Sequence, residues 1–357
     1  MKIQKFVGVV KRKLKELQGK AAHLIVKGVS SIKRISNKID KRYEILFYNF
    51  KEKKFKTLKR NEILSTIDLS KRTLILLHGT IKGSFNGRSK KRHKREGHGS
   101  FKYLYAGDNT KIGRHLHFFD YLKGIQKNRA VQYEQIIALE HETILHDPKM
   151  NVQKFRSLLF LDSLQFEKPV SILSASRGSL LAKYICQPSS GVPFSVDKVC
   201  VVSGGYSDYF KDKLGAKAYV INLAKLFGIN GPLKFILSLT LDVIVKLPGL
   251  DVQNKNSKRF KNLINEPIDT VFYNLVNDYK ASNPLWATFE KLVTDPILGN
   301  ENDIALGIEG QLDFRPGRTH PNFPPLIGGN MHGKGLRDIE NRKSVAKFLG
   351  ADIDGAV

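Results

Sequence analysis

The 357-residue sequence has little cysteine, tryptophan or methionine: two, one and three residues. Cys186 and Cys200 sit in the apolar contexts AKYICQ and KVCVVSG, so buried free thiols are expected rather than a disulfide. Two cysteines without ligand spacing exclude the usual zinc and iron–sulfur patterns, and no metal site is expected. Long apolar runs are also missing. The longest, Phe235 to Val245, includes Asp242 and falls well short of the roughly 20 residues that a bilayer-crossing helix needs. The opening MKIQKFVGVVKRKLKE has no apolar core and no small-residue cleavage site, so no secretory signal is expected. The chain reads as cytoplasmic or peripheral to a membrane. Acidic residues are scarce, 33 against 60 Lys and Arg, which leaves a net charge of +27.

More than half of that surplus lies near the start, where residues 1–72 hold 21 basic and 6 acidic side chains, a net of +15. Ile3, Val7, Val10, Leu14, Leu17, Ala21 and Leu24 recur at a mean spacing of 3.5, with Lys and Arg on the opposite face. This predicts a basic amphipathic helix, suited to a membrane surface, to a partner helix or to its own domain. Tyr43 to Asn49 has strand composition, and the following FKEKKFKTLKR is either a hairpin partner or a loop. Residues 1–72 are therefore expected to be a basic N-terminal arm that meets an anionic membrane surface. Nucleic acid is the weaker alternative, because no zinc pattern, aromatic-interleaved RNA motif or isolated helix-turn-helix is present.

Beyond residue 72 the pattern changes. Short apolar runs at Thr73–Leu77, Gln135–Leu139, Val170–Leu173, Lys198–Val202 and Thr270–Val276 read as buried strands. Helical patterns at Asn151–Phe166, Gly178–Cys186 and Lys343–Leu349 alternate with them. The expectation is an α/β fold over 73–350, with a mostly parallel sheet and helices on both faces. The apolar, Gly/Pro-punctuated stretch at about 206–265 is expected to be a helical cap insertion. The basic, Gly-rich segment Lys82–Gly99 reads as a loop.

Three signals carry chemistry. Ser174-Ala-Ser176-Arg-Gly178 lies between a strand and a helix, where a nucleophilic serine on a tight turn needs small neighbours. His78-Gly79-Thr80 ends the strand at Thr73–Leu77. A turn there supplies a backbone N–H, from Thr80 or Ile81, to pair with that of Arg177 around an oxyanion. Downstream of Ser176 the order serine, acid, histidine leaves two histidines. His332, in the loop before the last helix, is the better base; Pro321 restrains the loop of His320. The acid is either Asp303, in Gly299-Asn-Glu-Asn-Asp303, or Asp278, which ends the penultimate strand. Its task is to accept the imidazole Nδ1–H.

HGT, Leu139-Glu-His141-Glu-Thr143, Ser174-x-Ser176-Arg-Gly178, Leu247-Pro-Gly-Leu250 and Asn302-Asp303 together resemble a group of bacterial lipase-like α/β-hydrolases. These often accompany caspase-like CHAT modules and are distantly similar to triacylglycerol lipases. The resemblance covers about residues 73–350. It implies the α/β-hydrolase fold, ester hydrolysis through a Ser-His-Asp triad without cofactor, and Asp303 over Asp278. His141 and Thr143 are read as structural residues of the loop beside the site. The apolar insertion favours a lipidic ester. The rival functions are a non-catalytic binding module on the same fold and a basic nucleic-acid-associated protein.

Overall fold

The computed structural model describes residues 43–52, 54–79, 118–122, 133–143, 145–159, 161–205, 248–278, 308–312, 314, 316–329 and 335–350. The apolar runs form the middle of one nine-stranded sheet. Its strands are β1 (Glu44–Asn49), β2 (Lys54–Thr57), β3 (Thr73–Leu77), β4 (Gln135–Glu140), β5 (Val170–Ala175), β6 (Val196–Val202), β7 (Val271–Asn277), β8 (Arg318–Thr319) and β9 (Leu326–Gly328). The order is β2-β1-β4-β3-β5-β6-β7-β8, with β9 also paired to β7. Pairing is parallel from β4 to the far edge, and β1 is antiparallel to both β2 and β4. Every residue of β3, β4, β5 and β7 is buried, as unbroken apolar runs require of strands covered on both faces.

Eight α-helices are described: α1 (Ile63–Thr66), α2 (Phe118–Leu122), α3 (Pro148–Leu159), α4 (Gly178–Ile185), α5 (Pro248–Asp251), α6 (Lys258–Asn265), α7 (Ile308–Leu312) and α8 (Ile339–Leu349). On one face of the sheet Leu76, Leu173, Cys200 and Tyr273 pack with Phe118 and Phe119 of α2 and Phe348 of α8. Elsewhere α4 packs on β3, β5 and β6 and also meets α3 and α6. Successive side chains of a strand point to opposite faces, so both sides of these strands find apolar cover. No helix among the described residues is long and apolar enough to cross a membrane.

The structure moves several expected boundaries. α3 begins at Pro148 and stops at Leu159, where a 3-10 turn over Leu161–Ser163 takes over. α8 begins at Ile339, four residues before the expected start, because the Asp338 carboxylate accepts the amides of Glu340 and Asn341. The stretch assigned to the arm supplies two strands: FKEKKFKTLKR contains β2, and β1 lies between β2 and β4 with Ile45, Leu46 and Tyr48 fully buried. The compact unit thus begins at Tyr43 rather than at residue 73, and 1–42 lie outside the described residues. Of the expected cap, 206–247 also lie outside them. The remainder includes α6, whose Phe260 and Leu263 are buried and which packs on α4.

The far edge is a divided strand. β8 pairs with Val271 and Phe272 at the start of β7, and β9 pairs with Leu275 to Asn277 at its end.

Candidate functional site

Ser176 follows the last residue of β5 and precedes α4 by two residues. Its backbone is left-handed, with φ 51°, one of two positive-φ non-glycine residues among those described. Such a conformation is costly for a side-chain-bearing residue and persists only where its surroundings enforce it. Here they do. The Ser176 N–H donates to Val202 O at 2.8 Å, and Ser176 O accepts the Ser179 N–H at 2.9 Å and the Ser179 hydroxyl at 2.7 Å. The serine is 9% exposed.

Two glycines let the chain close around it. A Cβ on Gly79 would lie 2.8 Å from Ser176 Cβ and 3.3 Å from its Oγ, so the turn after β3 rests directly on the serine side chain. A Cβ on Gly178 would lie 2.5 Å from Leu77 O and 2.7 Å from His78 O, which fixes α4 against the end of β3. Ser174, two residues before Ser176, is fully buried and donates its hydroxyl to Cys200 O at 3.2 Å.

Behind the serine lies a buried polar layer. His78 Nε2 accepts the His141 backbone N–H at 3.2 Å, which leaves Nδ1 as the protonated nitrogen, donating to Gly79 O at 2.7 Å. Desolvation lowers the His78 pKa to about 4, so the ring is neutral at pH 7. Its 3.6 Å approach to the Glu140 carboxylate is then a polar contact and not an ion pair. His141 stacks on His78 at 4.0 Å and bonds Leu139 O through Nδ1 at 3.1 Å; burial holds its pKa well below the ordinary value. Thr143 is buried in the same loop, so His141 and Thr143 are loop residues beside the site.

The side chain of Arg177 is a component that the sequence did not reveal. Only 1% exposed, it donates from Nε to Gly249 O at 2.9 Å and from Nη2 to His146 O. Desolvation lowers its pKa to about 10, which leaves it charged at neutral pH. The guanidinium ties the residue after Ser176 to the β4–α3 loop and to α5.

Asp278 follows the carboxyl end of β7, and its amide donates to Gly328 O at 2.8 Å. Asp303, His332 and Thr80 lie outside the described residues. The elements beside Asp303 and His332 do converge. α7, which begins five residues after Asp303, is held at the end of β7: Gln311 Oε1 accepts the Asn277 N–H at 3.0 Å, and Gln311 Nε2 donates to Asn277 O at 2.9 Å. β9, which ends at Gly328, runs beside the same strand end and leads into the segment of His332. His320 is elsewhere. It follows β8, which pairs with the opposite end of β7; its Nδ1 accepts the Asn322 N–H at 3.1 Å and its ring packs edge-on to Phe323. A cavity of about 590 Å³ opens at the amino ends of β6 and β7, lined by Cys186, Asp197, Thr270 and Arg318 among others. That is the end of the sheet away from Ser176.

This strand order, parallel from β4 to the far edge, with a left-handed serine between its fifth strand and the following helix, defines an α/β-hydrolase fold. No family model matches the chain, and no curated protein matches it. Among solved structures it is similar to the mature form of the Bacillus licheniformis lipase BlEst2, with a TM-score of 0.44 and 11% identity over 80% of this chain and 94% of that one. It is also similar to an esterase of Pyrococcus furiosus (TM-score 0.36, 14% identity, 79% and 83% covered). A third such structure is an α/β-hydrolase fold protein of Chitinophaga pinensis (TM-score 0.38, 9% identity, 79% and 90% covered).

Proposed function

We propose that the protein is a serine hydrolase of carboxylic esters, with Ser176 as nucleophile on a nucleophile elbow. The observation that carries this is the left-handed backbone of Ser176 together with the contact of Gly79 on its Cβ and Oγ. A turn of that kind lifts a hydroxyl clear of the strand and brings the loop after β3 within reach of it. In the proposed reaction Ser176 Oγ attacks the ester carbonyl while His332 takes its proton. His332 then protonates the departing alcohol, and water, activated by the same base, releases the acid from the acyl-enzyme. Asp303 orients His332; the docking of α7 onto the end of β7 supports it over Asp278. The N–H groups of Thr80 and Arg177 hold the oxyanion. No metal or organic cofactor enters the reaction.

The substrate is proposed to be lipidic, on the strength of the apolar insertion, and residues 1–42 are proposed to bring the enzyme to anionic membranes. Kinship with the bacterial lipase-like group found beside CHAT modules belongs to the same proposal, supported by the motifs HGT, LEHET and SxSRG.

The test is a fluorophosphonate probe on the full chain, with mass-spectrometric mapping of the modified residue and turnover of a short p-nitrophenyl ester. Ser176 should carry the label, and Ser176→Ala should lose labelling and about 10³-fold or more of the turnover while staying folded. Normal turnover by Ser176→Ala would refute the proposal, and a wild type that neither takes the label nor turns over the ester would leave a non-catalytic binding module.

A further inference from the structure

We infer that the guanidinium of Arg177 is a positioning group for the proposed reaction: it ties the nucleophile elbow to the β4–α3 loop and to α5, and so fixes the peptide whose N–H is proposed to hold the oxyanion. This rests on the serine hydrolase reading above. In the turn Ser176-Arg177-Gly178 the serine is seated on Gly79, and the glycine is pressed against Leu77 O and His78 O. Arg177 is therefore the residue of this turn whose side chain can reach beyond it. That side chain does not cap α4, although its backbone, φ -55° and ψ -24°, opens that helix.

Its bonds lead to two distant segments. Nε donates to Gly249 O at 2.9 Å, 72 residues along the chain, and Nη2 donates to His146 O, 31 residues back. Nη1 is buried and has no hydrogen-bond partner among the described residues, so these two carbonyls are the polar anchorage of the fork there. Neither acceptor is a carboxylate, yet the group is 1% exposed and stays charged at neutral pH. A buried cation held by carbonyls is destabilising, and an apolar side chain of similar length would fill the space more favourably. Such a group one residue from a nucleophile is kept for what it holds in place.

The two acceptor segments are themselves fixed. Tyr43 donates its hydroxyl to Asn151 Oδ1 at 2.7 Å and accepts from His146 Nδ1 at 2.5 Å, which sets the loop that presents His146 O. Phe155 of α3 packs edge-on to the Tyr43 ring at 5.4 Å. Arg259 of α6, which is exposed, bridges the same two segments through Asp147 at 3.3 Å and Asp251 at 3.0 Å. They are thus joined twice, by a surface ion-pair bridge of little strength and by a buried fork that starts beside Ser176. The fork is planar, so it holds its two acceptors at a set angle that an ammonium cannot copy. The Arg177 side chain acts through its own peptide and touches no reacting atom.

The test uses the full-length protein with Arg177→Lys, which keeps the charge and loses the fork, and Arg177→Met, which loses both. It measures kinetics on the short p-nitrophenyl ester, thermal unfolding, and amide hydrogen exchange over residues 145–152 and 248–254. Both variants should lower kcat by about tenfold or more with KM little changed, as misplaced catalytic groups do. Exchange in both segments should quicken by about tenfold or more. Arg259→Met, which cuts the exposed bridge alone, should leave kcat and exchange near wild type. Wild-type kcat or unchanged exchange in a folded Arg177 variant, or losses as large in Arg259→Met, would overturn the inference. Should both Arg177 variants unfold, Tyr43→Phe takes their place: it frees His146 and should lower kcat by about threefold and quicken exchange over 145–152. No change in Tyr43→Phe would then overturn the inference. Exchange needs no turnover, so it judges the clamp even if Ser176→Ala proves fully active and refutes the proposed reaction.

Discussion

At Ser176 the backbone conformation costs on the order of 1–2 kcal/mol, and the hydrogen bonds to Val202 and Ser179 with the seat on Gly79 are what hold it. The neighbouring histidines add a second cost that depends on pH. His78 is neutral when folded, with its pKa lowered to about 4, whereas in the unfolded chain it titrates near 6.5. Above pH 6.5 neither state is protonated there and the group contributes nothing. As pH falls below 6.5 the unfolded chain takes up a proton that the folded chain refuses, so stability drops until pH reaches about 4. The loss from His78 alone is about 3 kcal/mol, and His141 acts in the same direction. Melting temperatures of the wild type should therefore decline between pH 6.5 and 5, before most carboxylates titrate, and His78→Gln should flatten that decline. Parallel curves would show that His78 is protonated in the folded state.

Among the elements, the acid gives the sharpest comparison. Asp303 precedes α7, which Gln311 fixes to Asn277; Asp278 follows β7 itself and bonds the end of β9 through its amide. Asp303→Asn should lose most of the turnover, about 10⁴-fold if the imidazole is left in the wrong tautomer, and Asp278→Asn should lose little. The reverse result would put the acid directly at the end of β7. The central strands were legible because a strand buried on both faces is written as a continuous apolar run, and Thr73–Leu77 was read to the residue. Ser176, Gly178 and the His78-Gly79 turn were legible as well, since a tight strand–helix turn admits few residue types. β8 and β9 were not, for strands of two and three residues leave no periodicity. Nor was the place of β1, because pairing with a strand some 90 residues downstream is settled by tertiary contacts that no local window contains. Arg177, Asn277 and Gln311 escaped for a related reason: a polar residue at the end of an apolar strand or beside a small-residue turn looks like surface until its partners are known.

For the whole molecule the charge surplus divides at Tyr43. Residues 1–42 hold 13 basic and 2 acidic residues, a net of +11, and they precede the compact unit, whereas the basic residues of 43–72 flank strands of the sheet. Each cation near an anionic surface contributes about 1 kcal/mol, less in salt, so a part of that surplus suffices for membrane binding. Full-length protein should co-sediment with phosphatidylserine-containing vesicles at low salt and not with neutral ones, and a chain lacking 1–42 should lose this while keeping short-ester turnover. Equal binding by both chains would sink the idea. Removal of 1–72 would be a different experiment, because it strips β1 from β4 and leaves a fully buried parallel strand with an open edge. The same pairing sets a schedule during synthesis. About 86 residues separate the end of β1 from the start of β4. At roughly 5–20 residues per second, the hairpin of β1 and β2 waits about 4–17 seconds on the ribosome for its inner neighbour. Until then its apolar Ile45, Leu46 and Tyr48 have no sheet to enter, which makes this hairpin a point where a nascent chain depends on chaperones or on the speed of translation.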